Sequence, residues 1–164
     1  MRGIMIVFTL FILNPGSIQA QSLELKDTIS EMILLIDQGE VKQLFTEHTD
    51  LLDLKKLDEN ISKVQHILAM YPGFFEKKPI ENKVYKVNLQ KIKTYFLIIK
   101  QGTPKLFENN TLVVYRASEI NPTLKFTKVE NNWLLMIDDR LLELATILIG
   151  KSLLLELEMA RVGS

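Results

Sequence analysis

The chain contains no cysteine. That excludes disulfide staples, thiolate metal ligands and a cysteine nucleophile, and it leaves the hydrophobic core as the source of stability. Histidine occurs twice, as His48 and His66, and neither has a second histidine within one turn. HExxH is absent, so a zinc site has no framework and both histidines read as surface or helix-end residues. Glycine (7) and proline (5) are sparse and never cluster, so no linker divides the chain. Gly102 and Gly150 stand alone, which removes the GxGxxG and phosphate-loop motifs. No GxSxG nucleophile turn occurs. Asp37-Gln38-Gly39-Glu40 lacks the acidic spacing of a calcium loop. Lys+Arg (20) and Asp+Glu (20) cancel, and no basic stripe interleaves with aromatics. The electrostatic attraction that dominates nucleic-acid binding is therefore missing. Lys55-Lys56 and Lys77-Lys78 read as solvated surface.

What is present is a globular composition, 47% hydrophobic and 24% charged over 164 residues, enough for one domain with a real core. The start has a different character. Arg2 gives a basic n-region, Ile4 to Leu13 an apolar h-region, Asn14-Pro15-Gly16 a helix break, and Ser17 to Ala20 small residues before a cut. This is the order of a secretory signal peptide spanning 1–20, cleaved after Ala20. The apolar run is short of the roughly 20 residues a membrane span needs. No cysteine follows it to take a lipid anchor. Export without cysteine suits a bacterial periplasm, where the sequons at Asn60 and Asn109 carry no meaning. No stable membrane span is expected after cleavage.

The first half has helical period. Leu25, Ile29, Met32, Ile33 and Ile36 share one face, with Ser22 expected to cap the start and Gly39 the end. A shorter helix over Glu40 to His48 points Val41, Leu44 and Phe45 inward. Asp50 to Leu57 reads as a leucine-rich turn. Asp58 is expected to cap a helix that buries Ile61, Val64, Ile67 and Leu68 and stops at Pro72-Gly73. Met70-Tyr71-Pro72-Gly73-Phe74-Phe75 concentrates aromatics there, either rimming a pocket or packing on a sheet. Leu89, Ile92, Phe96 and Ile99 favour a helix before Gly102, although Tyr95-Phe96-Leu97-Ile98-Ile99 also suits a strand.

The second half changes period. Leu106-Phe107 and Thr111 to Ala117 read as hairpin arms, and Thr123 to Val129 alternates with Leu124 and Phe126 on one face. Trp133 to Ile137 is nearly all apolar, as in a central strand covered on both faces. Asn131-Asn132 between them suits a tight turn, since asparagine tolerates positive φ. From 140 to 164 the chain returns to helical composition with a wide apolar face: Leu141, Leu144, Ile147, Leu148, Leu154, Leu155 and Met159. A kink is plausible at Gly150. This tail is expected to pack on the domain at 21–139 or on a second copy.

Helices followed by antiparallel strands predict an α+β domain. Two stretches carry a resemblance. "LLIDQGEVKQLFTEH", with Gly39, Glu40 and Phe45, is similar to the opening of the nuclear-transport-factor-2-like superfamily (the ketosteroid-isomerase-like or cystatin-like cone). "LKFTKVENNWLLMID", with Phe126, Lys128, Glu130 and Trp133, resembles its closing hairpin. The resemblance implies N-terminal helices wrapped by a curved, cone-like antiparallel sheet around a pocket, with the 140–164 tail as an extra. In such a cone Tyr115 and Trp133 are the candidate ligand-lining residues. Tyr115 fits the cavity or the core rim, and Trp133 fits the core better than a ligand platform. An isomerase or cyclase would need a carboxylate and an oxyanion donor, for which Asp138 and Tyr115 are the nominees. Asp138 reads better as a solvated turn. No catalytic residue, metal or cofactor is assigned. The expected function is an exported non-catalytic domain binding an apolar small molecule or a protein partner; the alternatives are an isomerase-type enzyme and a dimeric envelope interaction protein.

Overall fold

The apolar spacing that begins at Leu25 is carried by helix α1 (Pro15–Gln38). The computed structural model describes residues 15–73, 83–102, 104–107, 111–114 and 123–164. Leu25, Ile29, Met32, Leu35 and Ile36 are buried along α1. Ser22 is not its cap but lies inside it, and the helix runs unbroken through the Ala20–Gln21 bond. Gly39 ends it at φ 82. Its N–H donates to Ile36 O (3.1 Å) and the next N–H, of Glu40, to Leu35 O (2.8 Å). These paired bonds form a Schellman closure, which needs a left-handed residue and so favours glycine.

Helix α2 (Val41–Glu47) buries Val41, Leu44 and Phe45. A 3-10 turn (Asp50–Leu52) follows, capped by Thr49, whose hydroxyl accepts from Leu51 N at 3.2 Å. Helix α3 (Leu57–Met70) buries Leu57, Asn60, Ile61 and Val64. Its N-cap is Lys56, not Asp58; Asp58 and Glu59 occupy the first turn, where acids favour the helix dipole. Helix α4 (Lys83–Gln101) buries Tyr85, Ile92, Phe96 and Ile99. Tyr95 to Ile99 is therefore helical, and Gly102 closes the helix with a bond to Ile99 O (2.9 Å).

Strands β1 (Pro104–Phe107), β2 (Thr111–Val114), β3 (Leu124–Val129) and β4 (Asn132–Leu135) form an antiparallel meander in the order β1-β2-β3-β4. Leu124, Phe126, Trp133 and Leu135 are buried. Phe126 pairs with Leu135 and Lys128 with Trp133, so these four share one face. That register fixes the turn. Val129 pairs with Asn132, leaving Glu130 and Asn131 as the two turn residues. Glu130, not an asparagine, takes the positive φ (56). Sliding the turn by one residue would turn Trp133 and Leu135 to solvent, and burial of those side chains outweighs the local preference for asparagine.

Three expectations fail here. Trp133 is not on a central strand, because β4 is the sheet's last strand. Its outer edge meets the residues after α2 instead: Leu135 N donates to His48 O (2.9 Å), and Thr49 bridges Leu135 in parallel. The α+β cone does not form. Five helices dominate the described residues, and the strands are only four to six residues long. The helices pack mainly on one another: α1 on α4, α3 on α5, and α2 and α4 also on α5, while α1 makes the principal helix contact with β4. Finally, the C-terminal segment is helical and packs on the domain as expected, but not through the whole of the expected face. As helix α5 (Asp139–Val162) it buries Leu141, Leu142, Leu144, Ala145, Thr146, Ile147 and Leu148 nearly all round, then Leu153 and Leu157. Among the residues expected on its buried face, Leu155 and Met159 are exposed.

Between β4 and α5 the chain is held by Asp50, only 7% exposed. One carboxylate oxygen accepts from Ile137 N (2.6 Å) and the other from Lys56 Nζ (2.7 Å). Asp50→Ala leaves the half-buried Ile137 N–H without its partner and frees Lys56, so urea unfolding should show a loss of about 1.5–3 kcal/mol. Asp50→Asn keeps an acceptor for Ile137 and should lose less. Equal losses would show that the charge, not the backbone bond, does the holding.

Candidate functional site

The side chains nominated from the sequence are not brought together. Tyr115 lies outside the described residues. Trp133 is 2% exposed, within the core beside α1. Its indole N–H is buried with no hydrogen-bond partner among the described residues. Lys128 Nζ sits 5.8 Å from the ring centroid, at cation–π range, and bonds Glu24 Oε2 at 2.6 Å. That bond from Lys128 is the main reason the Glu24 carboxyl is held below its usual range. The cluster docks the hairpin on α1. Asp138 is exposed in the connection from β4 to α5, as expected of a solvated turn, and it also caps α5, accepting from Leu141 N at 2.9 Å.

A cleft of about 300 Å³ lies elsewhere, between the end of α3 and the start of α5. The stop of α3 at Met70 and the cap of α5 at Asp138 bring these two helix ends together. Ile67, Met70 and Leu142 supply its apolar lining; Lys63, His66, Tyr71, Asp139 and Glu143 supply polar groups. Most of those polar groups already satisfy one another. Lys63 Nζ contacts Asp139 Oδ1 and Glu59 Oε1, each at 2.6 Å. Bonds to Asp139 first and Glu59 second hold its ammonium above the usual lysine range. Tyr71 donates to Glu143 Oε1 at 2.9 Å, and that bond raises the phenol above its ordinary value. His66 is exposed and has no hydrogen bond among the described residues. Among the described residues His66 has no hydrogen bond that would orient its ring. The cleft combines an apolar lining with a rim of mostly paired polar groups.

Sequence reasoning missed this cleft except at one point. Met70 and Tyr71, in the aromatic cluster ending α3, do stand on its rim; Phe74 and Phe75 lie outside the described residues. Lys63, His66, Asp139 and Glu143 carried no pattern of their own, because the cleft exists only once α3 and α5 are paired.

A second cavity of about 300 Å³ opens where the α1–α2 turn, α4 and the middle of α5 meet, lined by Gly39, Val41, Lys42, Tyr85, Leu148, Ile149 and Ser152. Its α5 wall is broken at Gly150, which takes φ 55 and ψ −133 inside the helix. No group of three or more His, Cys, Asp or Glu among the described residues could hold a metal ion. No described helix is long and apolar enough to cross a membrane. Compared with protein-family models, curated proteins and solved structures, the chain matches none.

Gly150 permits a prediction of opposite sign from helix propensity. In a regular helix, Gly→Ala would stabilise by about 1 kcal/mol. At this φ and ψ an L residue is strained, so Gly150→Ala should destabilise by about 1–3 kcal/mol. A rise in the melting temperature of Gly150→Ala would show that α5 straightens without loss.

Proposed function

We propose that this chain is an exported, non-catalytic binding domain whose α3–α5 cleft takes an apolar small molecule bearing one polar group. The observation that carries the reading is the cleft itself. It joins an apolar lining of Ile67, Met70 and Leu142 to a rim whose charges are already paired. Its volume of about 300 Å³ stands at the small end of ligand pockets. Burial against Met70, which is 62% exposed, supplies the apolar gain. His66 and the one Lys63 ammonium proton not bonded to Asp139 or Glu59 offer donors to the ligand's polar end. Asp138, the carboxylate nominated for an enzyme, serves here as the cap of α5.

Export rests on the n-region, h-region and small-residue order of 1–20. Cleavage after Ala20 would cut α1 where Gln19 and Ala20 are exposed, four residues before the buried Leu25. The core would keep its contacts.

Two measurements test these readings. N-phenyl-1-naphthylamine, an apolar fluorescent probe, should bind the protein saturably. Met70→Glu should weaken it about tenfold, the loss of one large apolar contact, without lowering the melting temperature. Equal binding by Met70→Glu would remove the cleft as the site. Protein recovered from the periplasm of an expressing bacterium should begin at Gln21 and melt within error of the uncut chain. A product that keeps Met1 and sediments with membranes would overturn the export reading.

A further inference from the structure

We propose that the second cavity, where α2, α4 and α5 meet, is a binding site for a small monocarboxylate with a short apolar chain. Tyr85 is the first reason. It is 9% exposed and lines the cavity, yet its hydroxyl makes no hydrogen bond among the described residues. The residue is largely buried while its hydroxyl is not sealed from solvent, so the O–H is free to donate to an acceptor that enters the cavity. Burial raises the Tyr85 phenol above its usual range, and the group is a donor at neutral pH.

The opposite wall is the second reason. Gly150 interrupts α5 between Ile149 and Ser152, both of which line the cavity. Its φ and ψ lie outside what other residues adopt without strain, and such breaks in a buried helix concentrate at binding sites. Leu148, before the break, is buried; Ser152, after it, is exposed with a hydroxyl that has no partner among the described residues.

The lining specifies the chemistry. Tyr85 and Ser152 offer two hydroxyl donors, and Lys42 offers an ammonium. A carboxylate has two acceptor oxygens and one charge, which matches that set. Val41, Leu148 and Ile149 give the wall on which a few methylenes would lie. A dianion fits poorly, because Lys42 is the cavity's one cation among the described residues and Glu156 lies 2.8 Å from its Nζ. That ion pair is exposed on both sides, at 50% and 37%, so Lys42 is free to turn to a competing carboxylate at little cost.

The test is an amide ¹H–¹⁵N titration of the full chain with butyrate, using n-butanol as the neutral control. Butyrate should give saturable shifts at Tyr85, Gly150 and Ser152, with n-butanol weaker. Tyr85→Phe should weaken butyrate binding about tenfold, the worth of one hydrogen bond to a charged group, while its melting temperature stays the same or rises because no internal bond is lost. Lys42→Gln should erase the preference for butyrate over n-butanol. Absence of saturable shifts, equal butyrate binding by wild type and Tyr85→Phe, or butanol binding as tightly as butyrate would each overturn the proposal.

Discussion

The Asp50 carboxylate ties together parts of the chain that lie far apart in sequence. It sits in the 3-10 turn after α2, reaches Lys56 at the N-cap of α3, and accepts the N–H of Ile137, 87 residues away. A buried carboxylate is costly unless its oxygens are satisfied, and here each has a donor. The neighbours reinforce it. Asn60 donates to Leu51 O at 3.1 Å, and Leu135 N donates to His48 O at 2.9 Å. Thr49, Asp50 and Asn60 are three of the four buried polar residues described, so the polar interior of this protein is almost entirely this junction. Everything downstream depends on it. With Ile137 fixed, Asp138 is placed to cap α5, and α5 starts in the right direction to run between α2, α3 and α4.

Helix α5 then organises the rest. From Leu141 to Leu148 it is buried on nearly all sides, which a surface helix never is. Seen only as a sequence, that width looks like a sticky tail in need of a partner. In the folded chain three helices of the same molecule supply the partner. After Gly150 only Leu153 and Leu157 remain buried, while Leu155, Met159 and Val162 face solvent. The break in the helix thus separates a core segment from a segment covered on one side.

The helices were legible because their information is local. Leu25 to Ile36, Val41 to Phe45 and Ile92 to Ile99 declare a 3.6-residue period, and no distant contact overrides it. The Gly39 stop was legible for the same reason. The cone was misread because the residues behind the resemblance have ordinary local duties. Gly39 closes a helix; Phe45 fills the core; Lys128 bonds Glu24 across the ring of Trp133; Glu130 turns a hairpin. Any helix corner followed by a hairpin asks for these residue types, so they identify the parts and not their assembly. Asp50 was illegible because its meaning lies in Ile137, far away in sequence. The cleft residues Lys63 and Asp139 were illegible for the same reason: each acquires its partner only when α3 meets α5.

Both cavities use α5, and this constrains how they relate. Asp139, Leu142 and Glu143 serve the cleft, while Leu148, Ile149 and Ser152 serve the cavity beside the break. From Glu143 to Ile149 the helix rises about 9 Å, so the sites are neighbours along one rod. That rod is rigid between them, since Leu144 to Leu148 is packed all round. At Gly150 the regular helix is interrupted. A ligand that draws Ser152 toward Tyr85 acts on the segment after Gly150 and leaves the cleft, which is anchored before it by Asp138 and Asp50, as it was. On the proposed reading, one helix walls both cavities, with the cleft's residues before the break at Gly150 and the second cavity's residues on either side of it.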